Sequence, residues 1–396
     1  CITWRKRLSL TKYLHQVKPR EESYVNHVDR VQDLMENVTG KYNKGDVAEA
    51  ILGAAVVAKF VVRPTTDVSK KDIEDVLNKM LSSNPVTIPT PDYVKSVKQA
   101  NITDNIKFKV GIPKPAMDFI SDSSNWSEIS GIFNSCISYV NKDRRLNLQS
   151  IQFSKNKKSN EIFINSDGTG DQKGTKADIK LTFDGKKSRN QISLKVKGGD
   201  QFAQVSGIPF EKQEKLWKDG LGLDVSSLKS AYEDELKQFD PTIVFTDRKD
   251  KILTAQKNIV KNAAKAVYVK AADLMNDKFG SKDAEFMKKL ISFIRSGAAG
   301  SEYKEIELVK LEKDDFKKVR FDKKFDNFIT GLDLVATVGS GDPLIEIKDS
   351  KSNSPLIQIR FKVEAASKKT KGNKTFVVYP RNYVEAKSNS LLYGIS

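Results

Sequence analysis

Hydrophobic positions along this chain follow two periods, and the changes between them divide it into blocks. A helix is predicted from about residue 22 to residue 35. A stronger one is predicted at 47–60, a nearly unbroken apolar run opened by Lys44-Gly45-Asp46. There the Asp46 carboxylate can accept from the orphan amides of the first turn, and Arg63-Pro64 stops further helix. Further helices are predicted at 69–82 and near 114–141, separated by a Pro-containing loop at 84–92. From 149 the period becomes two. Ile151-Gln152-Phe153 and Glu161-Ile162-Phe163-Ile164 read as a hairpin across the polar turn 155–160. A Gly-rich loop at 167–174 leads to a strand at 177–183, a turn at Asp184-Gly185 and a strand at 191–197. A helix is predicted to begin near Gly199-Asp200. Residues 208–298 read as largely helical, most clearly at 249–279 and 283–294. Beyond 304, strands are predicted at 306–311, 332–338, 344–348, 356–363 and 375–379, with 367–374 a basic loop.

These blocks predict an α/β protein. An N-terminal helical extension (1–43) precedes a core at 44–207 with an insertion at about 65–145. A helical region (208–300) and a β-rich C-terminal region (301–396) follow.

Charge narrows the choice of partner. The chain has 68 Lys and Arg against 51 Asp and Glu, a net charge of +17 spread along its length, which favours a polyanion and above all nucleic acid. The two cysteines (Cys1, Cys136) form no CxxC, and with two histidines (His15, His27) no Cys/His zinc motif is expected; a disulfide framework is excluded too. Catalysis, if present, rests on carboxylates, lysine and a metal ion. No run reaches the ~20 apolar residues of a membrane span, so the expectation is a cytoplasmic protein with no membrane partner.

One constellation suits phosphodiester chemistry. Asp178 opens the strand Asp178-Ile-Lys-Leu-Thr-Phe183, and the next strand carries Ser193-Leu194-Lys195. Alternation puts Ser193 and Lys195 on one face, and an adjacent strand can bring Asp178 beside them. A carboxylate there could hold a cation, and an ammonium could orient a water or offset charge on a phosphorane. An ordinary hairpin with an exposed Lys would look the same. Glu49, in an otherwise apolar helix, is either a first-turn acid favoured by the helix dipole or an engaged carboxylate. Gln201 and Gln204, three apart after Gly198-Gly199-Asp200, would share a helix face.

Together these residues resemble the PD-(D/E)xK nuclease superfamily. The stretches 44–60 and 193–207 are similar to those of phage-encoded members. The resemblance implies a restriction-endonuclease-like mixed sheet flanked by helices and a Mg²⁺-dependent DNA nuclease, an endonuclease rather than an exonuclease, with Mn²⁺ as a substitute. Glu49 and Asp178 would be metal ligands together with the Leu194 carbonyl, and Lys195 the catalytic lysine. Gln201 or Gln204 would be the glutamine of the following helix. It leaves room for a homodimer and, for a phage-encoded member, places the protein in the cytoplasm of a bacterial host. The family's acid position is Ser193 here, a weaker and neutral ligand. Asp200 and Glu211 are candidates to replace it. If neither reaches, the alternative is a non-catalytic DNA-binding or scaffold protein on a nuclease-like fold.

A rival constellation lies further on. Asp333, Glu346 and Lys348 spell Asp, turn, Glu-x-Lys with the acid intact, but no Gln-bearing helix follows. Finally, Arg360, Lys362, Lys368, Lys369, Lys371, Lys374 and Arg381 form a basic cluster interleaved with Phe361, Phe376, Tyr379 and Tyr383. Lys368, Lys369, Lys371 and Arg381 are the expected DNA-backbone contacts.

Overall fold

The computed structural model describes residues 44–59, 63, 66–83, 86–89, 105–111, 114–142, 161–165, 179–183, 186–196, 200–296, 306–370 and 373–395. The helix expected at 22–35, the strand 151–153, Asp178 and Lys371 lie outside them.

The protein is mixed α/β, built on one mixed sheet and one antiparallel sheet. The strands are β1 (Val86–Pro89), β2 (Asn105–Gly111), β3 (Glu161–Asn165), β4 (Ile179–Phe183), β5 (Lys186–Lys195), β6 (Asp200–Ser206), β7 (Ile306–Leu311), β8 (Phe316–Arg320), β9 (Leu334–Val338), β10 (Leu344–Asp349), β11 (Pro355–Thr370) and β12 (Asn373–Ala386). The first sheet runs β1-β2-β3-β4-β5-β7-β8, with β2/β3 and β5/β7 parallel. The second runs β6-β12-β11-β10-β9, antiparallel throughout.

Sheet membership cuts across the blocks read from sequence. β7 and β8 complete the first sheet, although about a hundred residues of chain separate them from β5. β6 leaves that neighbourhood and pairs with β12. This overturns the helix expected near residue 200. The edge of β12 offers unpaired amides and carbonyls, and a ladder there outweighs the weak local helical preference of Asp200–Ser206.

Helices cover one face of the first sheet: α1 (Lys44–Val57), α2 (Lys70–Ser82), α3 (Lys114–Ser121) and α4 (Ser130–Lys142). α1 is buried from Val47 to Val57, as an all-round apolar helix must be. The single helix expected near 114–141 is instead two, parted by a 3₁₀ turn at Ser123–Ser127. Asp122 starts that turn by accepting from the Ser124 amide at 2.9 Å, and the Trp126 indole donates to the Ile120 carbonyl at 2.9 Å.

The second sheet packs on α7 (Lys251–Gly280), which follows the short α5 (Phe210–Glu214) and α6 (Lys229–Leu236). Asp250 caps α7 through the amides of Ile252 and Leu253. Its stripe of Val260, Ala263, Ala264, Val267, Tyr268, Ala271 and Ala272 lets the sheet approach closely. α8 (Ala284–Ser296) and α9 (Lys323–Thr330) complete the fold. α7 and α8 answer to the predicted 249–279 and 283–294. β1, β2, β8 and α9 were not expected from the sequence. Among the described residues, no helix is long and apolar enough to cross a membrane.

Candidate nucleic-acid interface

β5 is an inner strand of the first sheet, and its side chains alternate between two cores. Ile192 and Leu194 join the cluster containing α1, α2 and α4, with Val309 of β7 beside them. Ser193 and Lys195 therefore point the other way, with Leu308 and Lys310 as their register partners. Ser193 is fully buried, whereas Lys195 is partly exposed. Glu49 is 6% exposed on α1, which packs on the Ile192/Leu194 face. The structure thus brings Ser193 and Lys195 together and sets Glu49 on a helix across the sheet from them. The described ladder between β4 and β5 ends with Ile179 opposite Ile192, one residue short of Asp178 and Ser193.

Gln201 and Gln204 do share a face, but on a strand. β6 slips by one residue against β12: Gln201 pairs with Glu385 and Gln204 with Tyr383, leaving one extra residue between them. That bulge restores the common side that strict alternation would deny, and the Gln201 amide donates to the Gln204 carbonyl at 2.9 Å. Asp200 pairs with Ala386 at the start of β6, and Glu211 is an exposed residue of α5 with Lys229 at 3.5 Å.

The rival constellation does not assemble. Glu346 lies opposite Thr337 on β9, four residues beyond Asp333, a separation of roughly 13 Å along the strand. Asp333 is engaged by Lys351 at 2.6 Å, whose hydrogen bond holds its carboxyl below the ordinary value. Glu346 accepts from Gln358 at 2.8 Å and from Lys387 at 2.5 Å. Burial works to raise its pKa, but those two donors outweigh it and keep Glu346 ionised. Lys348, opposite Val335, lies nearer Asp333 along β10 than Glu346 does.

What the fold does create is a groove of about 760 Å³ where the C-terminal ends of β5 and β7 meet the polar face of the second sheet. Val196 and Lys310–Lys313 form one wall; Gln358, Arg360 and Lys362 of β11, with Glu385 and Lys387, form the other. The starts of α1 and α4, at Lys44 and Gly131, complete the rim. Helix starts carry partial positive charge from aligned peptide dipoles. Six lining side chains are Lys or Arg and three are Glu, so the groove repeats locally the cationic excess of the whole chain. Part of that charge is balanced within the wall, where Arg360 lies 3.0 Å from Glu385. Lys310 is 4% exposed, with its ammonium 5.3 Å from the Tyr393 ring centre. Lys310, Lys313 and Lys387 were not singled out from sequence. A lysine inside the predicted strand 306–311 was the available signal.

Of the expected DNA contacts, Arg381 is only 9% exposed; it lies over the Tyr379 ring at 4.9 Å and 3.8 Å from Glu364. It braces the sheet rather than facing solvent. Lys368 and Lys369 lie on β11, and Lys374 on β12, where a loop was expected.

The described residues do not compose a divalent-cation site. Hard cations require several oxygen ligands, mostly anionic. Glu49 supplies one carboxylate from the far side of the sheet, Ser193 offers a neutral hydroxyl, and no group of three or more His, Cys, Asp or Glu is placed to hold a metal among the described residues. Comparison with family models, with curated proteins and with solved structures returns no match for this chain.

Proposed function

We propose that this protein binds DNA, with the groove at the ends of β5 and β7 holding the phosphate backbone. The observation that carries this reading is the six Lys and Arg side chains gathered in one concave surface of a chain with net charge +17. The site of action is the cytoplasm, that of a bacterial host if the chain is phage-encoded. The test is fluorescence anisotropy with a labelled DNA across a salt series. Neutralising about six phosphates makes affinity fall by orders of magnitude between low and moderate salt. An affinity that stays flat across that range removes the proposal.

A second reading, Mg²⁺-dependent cleavage on a restriction-endonuclease-like fold, is favoured by Glu49. Glu49 is a carboxylate 6% exposed within an apolar helix, the place the family resemblance gives to the helix acid. This reading depends on Asp178 completing a site with Lys195. It expects Asp178→Asn and Lys195→Ala each to abolish cleavage with Mg²⁺ or Mn²⁺ while DNA binding persists, and Glu346→Gln to leave cleavage intact. A wild-type protein that cuts no form of DNA with either metal leaves the binding reading alone.

A further inference from the structure

β11 and β12 outrun the sheet they belong to. β10 pairs with β11 only as far as Arg360, and β6 with β12 only as far as Arg381. Beyond these points the two strands pair with each other up to Thr370 opposite Asn373. The near part of this ribbon is packed: Val363, Ala366, Phe376 and Val378 are buried, and Phe245 and Phe376 exchange both backbone hydrogen bonds, at 2.9 and 2.7 Å. Beyond Ser367 and Phe376 the ribbon continues for three residues on each strand, from Lys368 opposite Thr375 to Thr370 opposite Asn373, roughly 10 Å of strand.

The sequence of this projection is one-sided. From Ser367 to Phe376 the chain carries four Lys and no Asp or Glu. Lys369 stands opposite Lys374 in the register. The remaining strand residues there, Ser367, Thr370, Asn373 and Thr375, can all hydrogen-bond. More cations stand at the base: Arg248 lies 5.1 Å from the Phe376 ring centre, and Lys257 sits among Arg248 and Lys261. Burial first, and then those two cations, push the Lys257 pKa down.

We propose that this ribbon is an arm that enters the major groove of duplex DNA, with Lys368, Lys369 and Lys374 on the flanking phosphates and Arg248 and Lys257 steadying the backbone at its base. The inference rests on the DNA-binding reading and adds the form of the ligand. A two-stranded ribbon fits a B-form major groove about 12 Å wide and about 8.5 Å deep, so a reach of roughly 10 Å extends to its floor. The narrow major groove of duplex RNA excludes it, and a single strand has no groove to enter. Lysines also protect exposed strand edges from association; glutamates would do so equally, which makes charge reversal the informative change.

The experiment compares the full chain with the triple variant Lys368→Glu, Lys369→Glu, Lys374→Glu. Affinity is measured for a DNA duplex of roughly two helical turns, a single strand of the same sequence and the matching RNA duplex. The variant should bind the DNA duplex about tenfold or more weakly, with a salt slope shallower by about two to three, while single-strand and RNA binding change by less than about threefold. Should the reversal prevent folding, the same three positions changed to Gln keep length and polarity and should show the same selectivity with a smaller loss. If wild type binds the duplex and neither variant weakens it, the arm proposal fails while the DNA-binding reading stands. Equal losses on all three ligands also overturn it, since the arm would then be a simple cationic tether. A wild type that binds none of them overturns both.

Discussion

Lys195 stands directly opposite Lys310 on the neighbouring parallel strand, and Lys310 and Val196 line the cationic groove. Facing like charges within a sheet oppose folding by a few tenths of a kcal/mol to ~1 kcal/mol. A phosphate nearby turns that repulsion into attraction for both. Lys195→Met keeps the aliphatic stem and removes one charge. It should change stability by less than about 1 kcal/mol and weaken DNA binding by about three- to tenfold, with a salt slope shallower by about one. Denaturant melts paired with anisotropy decide it. A large loss of stability with unchanged affinity would make Lys195 a structural cation instead.

A buried polar contact joins the second sheet to α7, beside the apolar packing between them. The Tyr268 hydroxyl donates to the Asn382 side-chain oxygen at 2.8 Å, and both residues are fully buried. Asn382 in turn donates to the Val205 carbonyl at 3.2 Å, so three elements meet at one amide. Tyr268→Phe leaves that oxygen without its donor and should cost about 1–3 kcal/mol. Urea unfolding measures it, and DNA affinity should remain because Tyr268 lies on the opposite face of the sheet from the groove. A change below about 0.5 kcal/mol would show that the bond is not a stabilising pin.

Acid should expose the cap of α2. Ser69 and Asp72 form a reciprocal capping box: Asp72 accepts from the Ser69 amide at 2.8 Å and hydroxyl at 2.7 Å, with Arg63 at 3.2 Å. Burial tends to raise the Asp72 pKa, but these donors overcome it and hold the carboxyl below its ordinary 3.8. A carboxyl depressed in the folded state stabilises above its unfolded value and loses that effect as pH falls through the folded one. Asp72→Ala should therefore cost about 1–2 kcal/mol near neutrality, and the gap to wild type should narrow in acid below 3.8. Thermal melts from about pH 7 to about pH 2 follow it; a constant gap throughout would assign the loss to packing rather than to the ionised cap.

Much of the local structure was written in the sequence because local periodicity suffices for it. Ile306, Leu308, Val309 and Leu311 mark the predicted strand at Ile306–Leu311, and residues 307–311 are buried on both faces. The segment after Asp46, apolar but for Glu49, predicts a buried helix, and α1 is one. Other signals were present but passed over. In Asn105–Gly111, Ile106, Phe108 and Val110 alternate with Lys107 and Lys109, a clear period of two.

Partnership was beyond reach. Gln201 and Gln204, three apart, suggested a helix face, yet a bulged strand brings them together as well, and only the edge of β12, about 180 residues later, decides between the two. The same holds for the groove. Sequence alone determined that this chain is rich in cations and alternates helical and extended blocks. The tertiary structure decided that Lys310 sits beside Lys195, that Arg360 and Lys362 share the groove with Lys310, and that Asp333 and Glu346 stay apart. Strand order and register are set by burial and pairing summed over the whole sheet, and no window of neighbouring residues contains that sum.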